Sequence, residues 1–264
     1  MKTRVISAIV MFAILAVCVF LSPFTRVLLI CFCALVSVFE MWNALKRIRI
    51  KLETIPLIAY IVLHLVLCLA EVPAWGMISL YGAATLAILC LCIVRNEAKS
   101  AIGTLFVLNY PLLLYAFLMW ILLQKGWQLP VATAAFATWL CDAFAMFGGK
   151  LFGKHKLSPK VSPNKTIEGS VCGAVMSLLG GVASWYLLKG SMRVSLVETI
   201  ATALIASTMG QFGDLAASLI KRAAGIKDYS KLIPGHGGMM DRADSLLFAI
   251  PTGWFCFKIF SLFS

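Results

Sequence analysis

Nine apolar stretches divide this chain of 264 residues, and most have about the length of a membrane-spanning helix. Such a helix needs about 20 consecutive, mainly apolar residues, because lipid leaves every backbone polar group to be satisfied within the segment. Hydrophobic residues make up 61% of the sequence and charged residues 13%, which excludes an ordinary soluble domain. The stretches lie at 5–21, 26–44, 55–70, 74–94, 104–123, 128–148, 169–188, 196–220 and 244–262, and 55–70 is the weakest.

The sequence therefore predicts an all-α, polytopic integral membrane protein with about nine transmembrane helices, and its basic residues predict their orientation. Lys and Arg collect in the cytoplasmic loops of membrane proteins. If the N-terminus is cytoplasmic, both large basic loops, 149–168 and 221–243, face the cytoplasm. The 23 Lys and Arg residues then all fall on that side except Arg26, Lys125, Lys189, Arg193 and Lys258. Attraction to anionic lipid headgroups is an alternative explanation of this charge.

The two halves of the chain differ in their ionisable residues. Residues 1–127 carry few such groups within the apolar stretches, so we interpret this half as a transmembrane scaffold and 128–264 as the functional region. Glu40 and Glu71 lie near the ends of apolar stretches, where interfacial solvation explains them. His64 lies alone in an apolar helix, where a hydrogen-bonded structural role is favoured.

Two acids of the second half, Asp142 and Asp214, lie within or near the ends of apolar stretches. A carboxylate at the bilayer centre costs at least about 2.5–3.5 kcal/mol on insertion scales, so an acid in a membrane span is a functional candidate. After Asp214, helical spacing places three polar residues on the same face, namely Ser218, Lys221 and Arg222. The alternative for each acid is a structural interhelical hydrogen bond or ion pair.

The most polar segment of the chain, residues 218–244, joins the last two apolar stretches. Its fixed positive charges suit a polyphosphate. Asp241 and Asp244 are three residues apart, so a helix that begins near Met240 projects both from its first turn. Together with Asp214 they could hold one or two cations, because carboxylates are hard oxygen ligands. The alternative is ion pairing with Arg242, Lys221 or Arg222.

A Gly-rich segment upstream resembles a P-loop in the spacing of Gly148, Gly153 and Lys154. His155 stands where a P-loop has its magnesium-ligating Ser or Thr, and the segment follows an apolar helix rather than a strand, so a P-loop is excluded. What remains is a basic, Gly-rich loop whose backbone amides and lysines can meet phosphate oxygens.

The loop from Ser162 to Gly169 offers a second set of phosphate donors, Lys165 and Thr166. Thr166 is also predicted to be the N-cap of the following helix, with Glu168 placed to suit the helix dipole. Both interpretations are compatible, because a helix N-terminus is itself an anion site.

Four parts of the second half together form a recognisable pattern. Asp142, the Phe152-Gly153-Lys154 turn and the segment 162–169 precede a longer signature. The signature consists of Ser218, Ile220, Lys221-Arg222, Lys227-Asp228, Ser230, Ile233-Pro234, His236-Gly237-Gly238, Met239, Asp241-Arg242 and Asp244. This order closely resembles the phosphatidate cytidylyltransferases, also called CDP-diacylglycerol synthases, over about residues 139–250. The departures are Ala243, where the family usually has a larger apolar residue, and Asn164, where a second lysine is expected.

The resemblance implies a membrane enzyme that joins CTP to phosphatidic acid, giving CDP-diacylglycerol and pyrophosphate. It implies Mg²⁺ as cofactor, with a second monovalent or divalent cation left open, and the metal ligands Asp214, Asp241 and Asp244. The implied catalytic residues are Asp214, Asp241, Lys221 and Arg222. The implied substrate-binding residues are Ser218, Lys227, Lys165, Ser162, Thr166, Asp142, His236 and Arg242.

The same resemblance implies a bacterial cytoplasmic (inner) membrane protein whose active site faces the cytoplasm. Its expected partners are CTP, phosphatidic acid and the bilayer, with no nucleic acid, and a homodimer is left open. One alternative is a CTP-dependent polyprenol or phytol kinase, which would yield CDP and a lipid monophosphate. An ion-coupled transporter is another, but the charged groups cluster at one predicted surface and do not continue across the membrane.

Overall fold

The computed structural model describes residues 10, 13–14, 16–188 and 194–262. The predicted first span, 5–21, lies partly outside the described residues, and Lys189 and Arg193 lie wholly outside them. The placement of these basic residues relative to a membrane therefore stays a prediction.

The described part of the chain is almost entirely helical, so the predicted all-α class is confirmed apart from one small hairpin. The helices of the first half are α1 (Pro23–Arg47), α2 (Thr54–Leu69), α3 (Ala74–Arg95), α4 (Ala98–Val107), a π-helical turn (Leu108–Leu112) and α5 (Leu113–Ile121). The second half contains α6 (Gln128–Phe152), β1 (Lys156–Ser158), β2 (Ser162–Thr166), α7 (Ile167–Leu188), α8 (Leu196–Ala223) and α9 (Met240–Phe260). β1 and β2 pair antiparallel, with Ser158 opposite Ser162.

Seven helical segments of the described residues are long and apolar enough to cross a membrane. They are α1, α3, the continuous segment Ala98–Ile121, α6, α7, α8 and α9, and each matches one predicted stretch. The predicted stretch 55–70 corresponds to α2, an apolar helix of 16 residues that is shorter than these seven segments. It is also the stretch that the sequence predicts most weakly. The polytopic membrane class is therefore confirmed, while the count of nine and the orientation stay predictions.

Local signals explain where several helices begin and end. The Ser22 hydroxyl accepts from the Thr25 backbone N–H at 3.1 Å, and Pro23 occupies the first turn of α1, where its missing N–H costs nothing. At the end of α3, Asn96 adopts the left-handed conformation, with φ of 54°, that commonly terminates a helix.

The chain divides into two compact units, one of residues 1–123 with 220–242 and the other of residues 124–219 with 243–264. The predicted division at residue 127 into a scaffold and a functional region stays a prediction. Residues 220–242, which carry most of the signature, belong to the same unit as the predicted scaffold.

Polar contacts within the apolar core fix helices of the first unit to one another. The Ser37 and Tyr115 hydroxyls are 2.8 Å apart, joining α1 to α5. His64 on α2 is buried, with its Nε2 2.9 Å from the Ala116 carbonyl oxygen. The predicted structural role of His64 is therefore confirmed.

In the second unit, α6 and α7 pack closely because glycines remove side chains from their contact. A Cβ added to Gly173 would lie 2.5 Å from the Cys141 carbonyl oxygen, and one added to Gly180 would lie 2.7 Å from the Ala137 backbone nitrogen. Small residues at helix contacts are the usual means of close packing in membranes. This contact sets the hairpin that joins the two helices.

Candidate active site

The loop between α8 and α9, residues 224–239, is called the signature loop below. Its tip is a tight turn in which the Ile233 N–H donates to the Gly237 carbonyl and the His236 N–H donates to the Ile233 carbonyl, both at 2.9 Å. Gly235 and Gly237 have φ of 78° and 85°, which only glycine adopts freely. The two glycines therefore make this tight turn possible.

Asp241, in the first turn of α9, binds both ends of this loop. Its Oδ2 accepts from the Tyr229 N–H and the Gly238 N–H, both at 2.9 Å. Its Oδ1 lies 2.8 Å from Nζ of Lys221, and both side chains belong to residues that are only 8% exposed. The ion pair with Lys221, which is the alternative interpretation to metal ligation, is thus present. Protein donors engage both carboxylate oxygens of Asp241.

A second carboxylate, that of Glu40 on α1, binds the same loop, although Glu40 lies far from the loop in sequence. Its Oε1 accepts from the Ser230 hydroxyl at 2.5 Å and the Met239 N–H at 2.9 Å, and its Oε2 accepts from the Met240 N–H at 2.8 Å. Glu40 is 1% exposed. The expectation that interfacial solvation explains Glu40 is therefore wrong.

A sequence signal for Glu40 existed, because it is the only acid in α1 and lies about two turns before the helix ends at Arg47. An acid within an apolar helix is a functional candidate. The predicted stretch ended at residue 44, three residues short of the observed helix, which made Glu40 look closer to the interface than it is.

In the second unit, Lys165 on β2 pairs with Asp214 on α8. Lys165 Nζ lies 2.5 Å from Asp214 Oδ2, and the Ser218 hydroxyl donates to Asp214 Oδ1 at 3.3 Å. The side chains of Lys165 and Asp214 are 28% and 29% exposed, so the pair is open to solvent. Three residues predicted as functional from separate motifs therefore meet at one place.

The hairpin is held to the start of α7 by two side chains. The Thr166 hydroxyl accepts from the Gly169 N–H at 3.1 Å, which confirms the predicted N-cap. Glu168 accepts from the Lys154 and His155 N–H groups at 3.1 and 3.2 Å, and its Oε1 lies 2.6 Å from Nδ1 of His155. Two amides expected to meet phosphate are therefore bound to a carboxylate within the protein.

Next to this contact lies a surface cleft of about 450 Å³ lined by Leu151, Phe152, Gly153, Lys154 and Glu168. Residues 148–152 continue α6 as helix, which agrees with the exclusion of a P-loop. The lining of the cleft combines apolar side chains with one basic and one acidic side chain.

The other predicted site residues are placed as follows. Asp142 is exposed on α6, Ser162 is half-buried on β2, and Lys227 and Arg242 are exposed. Arg222 is exposed and donates to the Ile226 carbonyl at 3.3 Å. His236 is half-buried, and its Nδ1 has no hydrogen-bond partner among the described residues.

Asp244 is buried in the second unit, where its Oδ1 accepts from the Ser245 N–H at 2.7 Å. The backbone there approaches α8 closely, since a Cβ added to Gly213 would lie 3.2 Å from the Asp244 carbonyl carbon. The missing side chain at Gly213 thus permits close helix contact.

The metal-binding capacity of these residues can be judged from their oxygen atoms. Within the described ranges, no group of three or more His, Cys, Asp or Glu side chains is arranged to hold a metal ion. Mg²⁺ usually takes only one or two carboxylates, with the rest of its shell from water and substrate phosphates. Asp214 fits that pattern because, although Lys165 and Ser218 contact its two oxygens, its side chain is 29% exposed to water and substrate. Asp241 fits it less well, because Lys221 and two backbone donors already engage it.

Comparison with known proteins gives a consistent result over this chain. The sequence profile of the Cytidylyltransferase family matches residues 2–260. A phosphatidate cytidylyltransferase of Staphylococcus aureus (strain COL) is 46% identical over 113 residues, which is 43% of each chain. One of Bacillus subtilis (strain 168) is 40% identical over 128 residues, covering 48% of this chain and 47% of the relative. The aligned segments thus span less than half the length of these curated relatives.

Proposed function

Because the chain belongs to the cytidylyltransferase family, we propose that it transfers the cytidylyl group of CTP to phosphatidic acid. The products are CDP-diacylglycerol and pyrophosphate. The family match over residues 2–260 is the observation that carries this proposal. The choice of phosphatidic acid as the lipid acceptor rests on the relatives named phosphatidate cytidylyltransferase. The exposed Lys165–Asp214 pair supports it as a place where phosphate and a cation can both bind.

In the proposed reaction, an oxygen of the lipid phosphate attacks the α-phosphorus of CTP in line. A new P–O bond forms there, the bond to the bridging oxygen of the β-phosphate breaks, and pyrophosphate leaves with that oxygen. A phosphate monoester loses its second proton with a pKa of about 6, so the acceptor is already largely ionised near neutral pH. Positioning and charge neutralisation therefore carry most of the catalysis.

The chain's own residues divide this work. Lys165 donates to phosphate oxygens, and Ser218 holds the Asp214 carboxylate through its hydroxyl. Arg222 and Lys227 are exposed and bind pyrophosphate oxygens. Lys221 is bound to Asp241 and fixes the start of α9 beside the signature loop.

Asp214 is the residue that would hold Mg²⁺, whose role when bound is to neutralise charge on the reacting phosphates. Asp241 and Asp244, the other ligands that the resemblance implies, are both buried and hydrogen-bonded to backbone N–H groups. We therefore propose Asp214 as the main protein ligand of the cation, and substrate oxygens would be its other ligands.

The setting of the proposed reaction is the cytoplasmic face of a bacterial inner membrane. CTP is dissolved in the cytoplasm, phosphatidic acid is confined to the bilayer, and the seven apolar helices hold the protein where the two meet. A homodimer, left open by the family resemblance, is tested by the mass of the purified protein in detergent.

The experiment incubates purified protein with α-labelled CTP, phosphatidic acid and Mg²⁺, and follows labelled lipid and pyrophosphate. We expect both products, and their loss with EDTA. Asp214→Asn should abolish turnover, whereas Glu198→Gln, in the first turn of the same helix, should not change it. Transfer of the γ-phosphate to a lipid alcohol with release of CDP would instead identify a kinase and overturn the proposal.

A further inference from the structure

We infer that Glu40 is a positioning residue, which fixes the signature loop and the start of α9 through its buried carboxylate. The residues that donate to this carboxylate are separated from Glu40 by 190 to 200 residues in sequence. Ser230 binds from the middle of the loop, Met239 binds from its end, and Met240 binds from the first residue of α9.

Glu40 and Asp241 together close the base of the loop. Asp241 accepts from Tyr229 and Gly238, and Glu40 accepts from the residue that follows each of them, Ser230 and Met239. Adjacent residues at each end are thus bound by two carboxylates from different helices. Residues 231–237, which include His236, are held as a closed turn above this base.

The chemistry of the contact requires a carboxylate. The three groups that hydrogen-bond to Glu40 are all donors, and two of them are backbone N–H groups at the start of a helix, where negative charge is favoured. A glutamine has one acceptor oxygen and one donor amide, so in either orientation it turns an N–H group toward a backbone N–H. An unsatisfied buried donor costs more than the hydrogen bond that it replaces.

The glycine before Met239 shows how close this approach is. A Cβ added to Gly238 would lie 2.7 Å from Cδ of Glu40, so the loop reaches the carboxylate only because this residue has no side chain. The position of Glu40 and the identity of Gly238 therefore depend on each other.

The catalytic consequence of this role rests on the proposed function. Lys227 precedes the part of the loop that Glu40 and Asp241 hold, and His236 lies within that part. Movement of the backbone at the base of the loop would therefore displace both residues. A displacement of about 1 Å in a positioned group can reduce a rate by about a hundredfold. Glu40 itself would act through the loop, without touching substrate.

The test compares trypsin cleavage of the full-length protein in detergent, because Lys227 and Lys231 are exposed within the loop. In Glu40→Gln, we expect cleavage after these lysines to be faster by about tenfold or more. Cleavage after Lys160, exposed in the hairpin, should be unchanged and serves as an internal reference. Glu97→Gln, which removes only an exposed ion pair with Lys51 in the same unit, is the matched control.

Ser230→Ala removes one donor and leaves Glu40 in place, so it should accelerate the same cleavages to a smaller extent. If Glu40→Gln does not fold, the cleavage rates of Ser230→Ala decide the test. Glu40→Asp keeps an acceptor-only group and should restore part of the protection. Unchanged cleavage at Lys227 and Lys231 in folded Glu40→Gln, or equal acceleration at Lys160, would overturn the inference.

Kinetic assays separate this inference from the proposed function. Cleavage reports the loop whether or not the protein transfers cytidylyl groups, so an inactive wild type would reject the function alone. With an active wild type, we expect Glu40→Gln to lower kcat more than it raises KM for CTP, because the loss lies in positioning. Faster loop cleavage with unchanged kcat would restrict Glu40 to a structural role and overturn its catalytic consequence.

Discussion

Lys165 Nζ lies 2.5 Å from Asp214 Oδ2, which brings the hairpin and the middle of α8 into direct contact. Both residues were predicted as functional, but from separate motifs, and no spacing in the sequence links them. Because more than a quarter of the surface of each side chain is exposed, the pair is accessible to phosphate and to cations. An exposed ion pair of this kind contributes only about 0–1 kcal/mol to stability.

Replacement of Lys165 should therefore affect activity far more than folding. For Lys165→Gln we expect kcat/KM for CTP to fall by at least about tenfold, the loss of one hydrogen bond to a charged group. The thermal unfolding midpoint should change little. Lys160→Gln, in the turn of the same hairpin, is the control for a general loss of positive charge. A large fall in the unfolding midpoint of Lys165→Gln would show that the pair is structural.

Removal of the Thr166 cap should destabilise α7 without removing a charge. Thr166→Ala deletes the hydroxyl that accepts from the Gly169 N–H and should cost about 1 kcal/mol. Thr166→Ser keeps an oxygen at the same place and should retain most of the stability. Thermal unfolding in detergent measures both, and equal unfolding of the two variants would contradict the capping role.

The close approach of Gly238 to Glu40 predicts a steric effect at this glycine. Gly238→Ala should push the loop away from the carboxylate and lower both the unfolding midpoint and turnover. Gly82→Ala is the matched control, because Gly82 lies in α3 of the same unit with nothing within 4 Å of an added Cβ. That control should be neutral or slightly stabilising, since alanine favours a helix over glycine. Wild-type behaviour of Gly238→Ala would show that the loop relaxes without cost.

The membrane helices could be predicted because lipid imposes a length and a composition that can be counted along the chain. The N-cap at Thr166 could also be predicted, because a cap depends on residues that are close in sequence. Glu40 was missed because its partners are 190 to 200 residues away, and hydropathy says nothing about which distant loop enters a helix contact.

The Lys221–Asp241 pair also shows what could not be predicted from the sequence. Spacing predicted that Asp241 lies in the first turn of a helix, and the structure confirms that position. Spacing could not decide between a metal ligand and an ion pair, because both use a carboxylate near positive charge. The choice depends on burial and on the two backbone donors, which only the folded loop supplies.

This pair makes a prediction that separates structural from metal-binding behaviour of Asp241. Asp241→Asn leaves the Lys221 ammonium buried without its partner, and breaking such a pair costs about 3–5 kcal/mol. The double variant Lys221→Met with Asp241→Asn removes both charges, so it should unfold at a higher temperature than Asp241→Asn alone. Thermal unfolding of the single and double variants, without added metal, measures the coupling. If Asp241 served only as a metal ligand, Asp241→Asn would lose activity while keeping the wild-type unfolding midpoint, and the second substitution would restore nothing.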